Sequence, residues 1–159
     1  MYGIDVKQFK DRIVLPVLIR IGLAETNRIS LVLGTCLHES HLQYVVQVPN
    51  GPALGFGQME PATHRDLWEN YLRYQPELAE KVLRLAGEYG SGSPPATELI
   101  GNANYAVAMC AVHYRRVRDP LPANEPRLLA RYWKKFYNTP FGKGTIEQAL
   151  PHFIKAIET

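Results

Sequence analysis

From Asp5 to Glu158 the apolar residues return every three or four positions, and no stretch alternates apolar with polar as a half-buried strand does. Such a chain buries one stripe per helix and folds by packing helices on helices. The spacing predicts a first helix from Asp5, its N-cap, to Ile21, bent at Pro16 and closed by Gly22. A second is expected from Thr26 or Asn27 to about Tyr44, with Ile29, Val32, Leu33, Cys36, Leu37 and Tyr44 on one face. Pro61 and Pro76 each open a helix, the first reaching Leu72 and the second closed by Gly87. Asn102 to Val117, rich in Ala, Val and Met, reads as the central helix. Pro126 starts another, to about Tyr137, and Thr145 with Gln148 forms a capping box for the last, which ends at Glu158. One stretch breaks the pattern. Gln47 to Gln58 contains Pro49, Asn50, Gly51, Pro52, Gly55 and Gly57, and must be a turn-rich loop or a small irregular hairpin. Residues 88–97, around Gly90-Ser91-Gly92-Ser93-Pro94-Pro95, form a second loop, and 119–126 and 138–144 are connectors. The fold class is mostly α, as one domain over residues 1–159 with neither repeats nor low-complexity tracts.

Composition removes several function classes. Hydrophobic residues at 46% and charged residues at 21% are ordinary globular usage, which excludes a disordered or fibrous chain. The longest apolar run, Ile13 to Ile19, contains Pro16 and is too short to cross a bilayer. Charges at Asp5, Lys7, Lys10, Asp11 and Arg12 break any signal-peptide pattern, so the expectation is a protein made inside the cell that neither enters a membrane nor exports itself. Two cysteines, Cys36 and Cys110, sit among apolar neighbours and form no disulfide framework. A net charge of +3 is too small for an obligate nucleic-acid binder. The excess is concentrated between Arg115 and Lys143, where eight basic residues face only Asp119 and Glu125. That strip is either a solvated helical surface or a weak site for an anionic partner.

Three segments can carry chemistry. Glu39 lies about 20° around the helix axis from Val32, at the margin of the buried stripe, where partial desolvation favours a protonated carboxyl. A general acid needs that condition near neutral pH, although a helix-edge Glu paired with an Arg would occupy the same place. Downstream, Gly51 to Thr63 brings three glycines close to Gln58, whose amide both donates and accepts. A neutral amide beside a raised-pKa acid suits a carbohydrate, whose hydroxyl and acetamido groups need both kinds of partner. Alternatively, the segment is only a tight turn. Tyr132, Trp133, Phe136 and Tyr137 then offer flat faces on which sugar rings stack, with Trp133 or Phe136 expected in the core in any case.

These residues, in this order, carry a resemblance. Glu39-Ser40, Gly55-Phe56-Gly57-Gln58-Met59-Glu60-Pro61-Ala62-Thr63 and Tyr137-Asn138 with Gly142 behind resemble the three-motif pattern of soluble lytic transglycosylases, of the lysozyme-like superfamily. That pattern is a Glu-Ser pair on a helix, a Gly-Leu-Met-Gln stretch leading to Pro-x-Thr, and a late Ala-Tyr-Asn before glycine. More narrowly, Gly51 to Thr63 and Trp133 to Thr145 look like small lysozyme-like proteins of tailed bacteriophages. The resemblance implies a lysozyme-like domain that binds the glycan strands of peptidoglycan, with neither metal nor other cofactor. It makes Glu39 the single acid/base for the bond from N-acetylmuramic acid to N-acetylglucosamine, leaving 1,6-anhydro ends. Gln58, Tyr137 and Asn138 would hold the acetamido group and the scissile sugar, Phe56 and Met59 would wall the cleft, and Ser40 would support Glu39 by packing and a hydrogen bond. Glu60 would orient Gln58 or Tyr137, or act as a base. The sequence departs from the pattern at Phe56, Gly57 and Phe136, and only Gln47 and Asn50 stand where a polar serine is common.

A hydrolase would need a second carboxylate. None occurs from Ser40 to Met59, so Glu60 and Asp66 are the first candidates for a hydrolytic muramidase. A zinc site at His38-Glu39-Ser40-His41 has its histidines three apart instead of four, and His64, His113 and His152 are singletons expected at the surface or hydrogen-bonded. A non-catalytic tail or connector part of a phage particle, bound to other virion proteins, is the alternative outside enzymology. An enzyme acting on the wall would reach it through a holin-type pore at lysis or aboard a virion.

Overall fold

The computed structural model describes residues 3–90 and 92–159; Ser91, assigned above to the 88–97 loop, lies outside them, as do residues 1–2. The described chain is mostly helical. It runs through α1 (Val6–Phe9), α2 (Leu15–Ile21), α3 (Thr26–Ser40), α4 (Pro61–Asn70), α5 (Pro76–Leu83), α6 (Glu98–Gly101), α7 (Ala103–Arg116), α8 (Pro126–Trp133) and α9 (Ile146–Glu158). No helix is long and apolar enough to cross a membrane among the described residues.

Central placement of α7 follows from its composition. Tyr105 to Val112 are all buried, so this helix is apolar around its whole circumference and other helices surround it. Its polar tips pair internally: the Tyr105 hydroxyl meets His64 Nε2 at 2.6 Å and accepts from Trp68 Nε1 at 2.8 Å, while that of Tyr114 lies 2.7 Å from Thr35 Oγ1. Helix α3 packs along α9 through Gly34, where the Phe153 ring occupies the space that a Cβ would need.

Both predicted caps of the first helix are present, with Asp5 accepting from the Gln8 amide and Gly22 left-handed at φ 76°. Between them the chain adopts a π turn over Lys10–Val14, and the Leu15 amide reaches back to the Lys10 carbonyl. Pro16 has no amide to give the Arg12 carbonyl and its ring crowds that oxygen; one wider turn relieves both. The second helix ends earlier than its periodicity predicts, at Ser40 instead of Tyr44. Ser40 Oγ bonds the Cys36 carbonyl and accepts from the Leu42 amide, while His41 and Leu42 take positive φ of 52° and 53°. Tyr44 consequently leaves the buried stripe and becomes solvent-exposed. The helix at Pro61 stops at Asn70 and a short 3₁₀ turn carries the chain through Leu72–Tyr74. Helix α8 changes register after Trp133 and finishes in a second π turn, Lys134–Asn138. The Thr145–Gln148 capping box forms as predicted.

The segment from Gln47 to Gln58 is a small irregular hairpin. Val46 bridges Leu54, and Leu54 exchanges two 2.9 Å backbone hydrogen bonds with Met59. Gly55 is needed at its bend, since φ is +75° and a Cβ would lie 2.7 Å from the Leu99 carbonyl oxygen.

Candidate active site

Glu39 projects from the last turn of α3 into a cleft of about 700 Å³. The hairpin and the start of α4 form one wall, through Gln47, Val48, Gln58, Met59, Glu60 and Thr63. The other wall is the second π turn with the loop after it, through Tyr137, Asn138, Phe141 and Lys143. Trp133 is fully buried, so its indole N–H must find an internal acceptor; it donates to Glu39 Oε1 at 2.9 Å. Among the described residues Glu39 has no cationic partner, so the expected alternative of an Arg pair is not realised. Burial raises its pKa from 4.5 to about 7, opposed only by the Trp133 hydrogen bond, which favours the carboxylate. At neutral pH the side chain therefore exchanges its proton readily.

Tyr137 crosses from one wall to the other. Its hydroxyl donates to the Gly57 carbonyl at 2.6 Å, and its ring stacks on Tyr114 with centroids 5.2 Å apart. Gly57 permits this approach, since a Cβ there would stand 2.8 Å from the Tyr137 oxygen. Gln58 holds a left-handed backbone, φ 46°, and spends one amide hydrogen on the Gly55 carbonyl at 2.9 Å. Its other hydrogen and its oxygen remain for a ligand. Asn138 accepts from Lys134 Nζ at 2.7 Å and keeps its own N–H groups free to donate. Met59 is buried at the base of its wall, and Glu60 is exposed at the head of α4.

Glu39, Gln58, Met59, Glu60, Tyr137 and Asn138 thus converge from elements far apart in the chain. Two residues assigned to the site by resemblance do not line it. Ser40 is fully buried and its hydroxyl is committed to the end of α3; Phe56 packs edge-on against Phe9, with centroids 5.2 Å apart. Asp66 also lies off the cleft. It is hydrogen-bonded to Asn70 and ion-paired with Arg116, which hold its carboxyl below the ordinary range. That removes Asp66 as a second carboxylate and leaves Glu60.

Several lining residues were not singled out as site candidates from the sequence. His113 is buried in the cleft beside Tyr137, 4.7 Å between centroids; burial lowers its pKa to about 4 and its Nδ1 has no partner. Its position one turn beyond Cys110 on an all-apolar helix was the available signal. Thr63 closes the Pro-x-Thr match, whereas Tyr44, Phe141 and Lys143 carry no signal, because they depend on how the walls face each other. His64 is hydrogen-bonded to Tyr105 as expected, but His152 is no singleton: its ring touches those of His38 and His41, each at 5.2 Å. Among the described residues no three His, Cys, Asp or Glu side chains are arranged to hold a metal ion. Half of the basic strip is engaged internally: Arg116 with Asp66, Arg127 with Glu147, Lys135 with Asp119, and Lys134 with Asn138.

No family model, no curated protein and no solved structure matches the chain.

Proposed function

We propose that this protein has a lysozyme-like domain and is a peptidoglycan-cleaving lytic transglycosylase, working as a phage endolysin or a virion-associated lysin. The observation that carries this reading is a carboxyl group with a pKa of about 7, with no cationic partner among the described residues, in a cleft lined by neutral amides and a tyrosine. Glu39 gives its proton to the oxygen of the N-acetylmuramic acid β-1,4 N-acetylglucosamine bond as the C1–O bond breaks. The resulting carboxylate then takes the proton of the muramic 6-hydroxyl as that oxygen closes on C1. Glu39 regains its proton, no water is consumed and the product is a 1,6-anhydro end. Gln58 and Asn138 supply the free amide donors and acceptor for the acetamido group, and Tyr137 fixes the separation of the walls.

A hydrolytic muramidase is the second reading, supported by Glu60 on the lining of the same cleft. Mass spectrometry of soluble products from purified peptidoglycan separates the readings. Anhydromuramic ends released by wild type and abolished in Glu39→Gln are the expected result. Reducing ends sensitive to Glu60→Gln would establish hydrolysis instead. No release by wild type would overturn both, in favour of a structural virion component.

A further inference from the structure

Packing does not account for Phe141. It is 99% exposed although it lines the cleft, and an apolar ring left in water is unfavourable. The backbone beneath it is firmly braced. Lys134 Nζ donates to both the Asn138 side chain at 2.7 Å and the Gly142 carbonyl at 2.8 Å, and the Gly142 amide closes a turn on the Thr139 carbonyl at 3.1 Å. Gly142 and Gly144 lie so close to Asn138 and the Trp133 ring that neither has room for a side chain. The ring is held out by a built turn. From the hairpin side, Tyr44 and Val48 line the same cleft and are also exposed.

The same lining carries Gln47, Asn138 and Thr139, neutral groups that donate and accept hydrogen bonds. Flat apolar surfaces together with neutral polar groups match a pyranose ring, which has C–H faces and a hydroxyl edge. They do not match a nucleic acid, because among the described residues the lining holds one Lys or Arg, Lys143, against two carboxyl groups, Glu39 and Glu60. Glu39 is partly buried and Phe141 fully exposed on the same lining, which suits Phe141 to a sugar other than the one being cut.

We infer that Phe141, with Tyr44 and Val48, forms a rim subsite for an outlying sugar of the glycan, so that the protein grips long strands in preference to short fragments. This rests on the proposed glycan-cleaving reading. The test compares KM and kcat of wild type, Phe141→Ala and Phe141→Trp on peptide-free glycan strands and on the shortest fragment wild type cleaves. Phe141→Ala is expected to raise KM on long strands about tenfold, with kcat unchanged and the short fragment unaffected, and Phe141→Trp to restore it. Equal KM for wild type and Phe141→Ala on both substrates would overturn the subsite while leaving the reading intact. An equal rise on both would also overturn it, since the ring would then serve the sugars at the cut bond. A wild type that neither cleaves nor cosediments with the strands would overturn the reading and the subsite together.

Discussion

On the proposed reading Glu39 acts as an acid only while it holds a proton, and it holds one near neutral pH because the fold denies its anion water. The Trp133 N–H is the single group opposing that effect. Replacing Trp133 by Phe removes a donor to the carboxylate and raises the pKa of Glu39 further. Activity limited by the protonated acid falls as pH climbs through about 7, so the falling limb of the variant's pH–rate profile is expected at higher pH than in wild type. An unmoved limb would mean that another group sets it. The same shift acts on stability. Unfolded, Glu39 loses its proton near 4.5; folded, it keeps it to about 7, so folding stability declines as pH rises across that interval, by about 3 kcal/mol in all. Glu39→Gln carries no such penalty. Urea unfolding should show the variant gaining stability relative to wild type between pH 5 and pH 8, the opposite of an ordinary surface carboxylate.

At the level of elements, the site depends on a hairpin and a helix end meeting across a gap, and Gly57 is where they meet. Gly57→Ala sets a methyl against the Tyr137 hydroxyl and pushes the walls apart. The expected outcome is a drop in kcat/KM of at least about tenfold with a thermal midpoint changed by only a few degrees, because the added methyl meets the Tyr137 hydroxyl at the cleft and leaves the hairpin's core contacts at Met59 and Phe56 in place. A large fall in the midpoint with unchanged activity would show Gly57 to be structural only. The helices themselves were largely legible, since caps such as Asp5, Gly22, Asn102 and Thr145 and prolines such as Pro61, Pro76 and Pro126 announce their ends locally. The end of α3 was not, because Tyr44 continues the 3.6-residue period while Ser40 withdraws the backbone from it. Both π turns were invisible for a related reason, as one widened turn hardly disturbs the apolar spacing. Glu39, Gln58, Tyr137 and Asn138 were readable from their residue types and order. Phe56 was misplaced because nearness in sequence to Gln58 says nothing about which way a side chain leaves the backbone, and Ser40 keeps the packing and hydrogen bonding expected of it without reaching the lining.

Across the whole molecule, stability against pH is shaped by two opposed sets of buried groups. Burial lowers the pKa of His38, His64 and His113 from 6.5 to about 4, and that of His152 in the same direction. An unfolded chain protonates these imidazoles near 6.5 and the folded one does not, so stability is lost as pH falls from 6.5 toward 4. Glu39 contributes the loss in the other direction, up to about 7. Thermal midpoints measured from pH 4 to 9 are therefore expected to rise from pH 4 to about 7 and level off above it, because over the same interval several imidazoles outweigh one carboxyl. A profile flat across pH 4 to 6.5 would show that the histidines are solvated. The second π turn has a different kind of consequence, for how the chain can change length. A π turn is one residue squeezed into an α-helix, so deleting one of Lys134, Lys135 or Phe136 returns the turn to α geometry and leaves Trp133 and Tyr137 on nearly the same faces. The donor to Glu39 and the tie to Gly57 would still face one cleft. Descendants of this sequence can therefore shorten here by a single residue, whereas a second deletion would rotate Trp133 away from Tyr137 by about 100°.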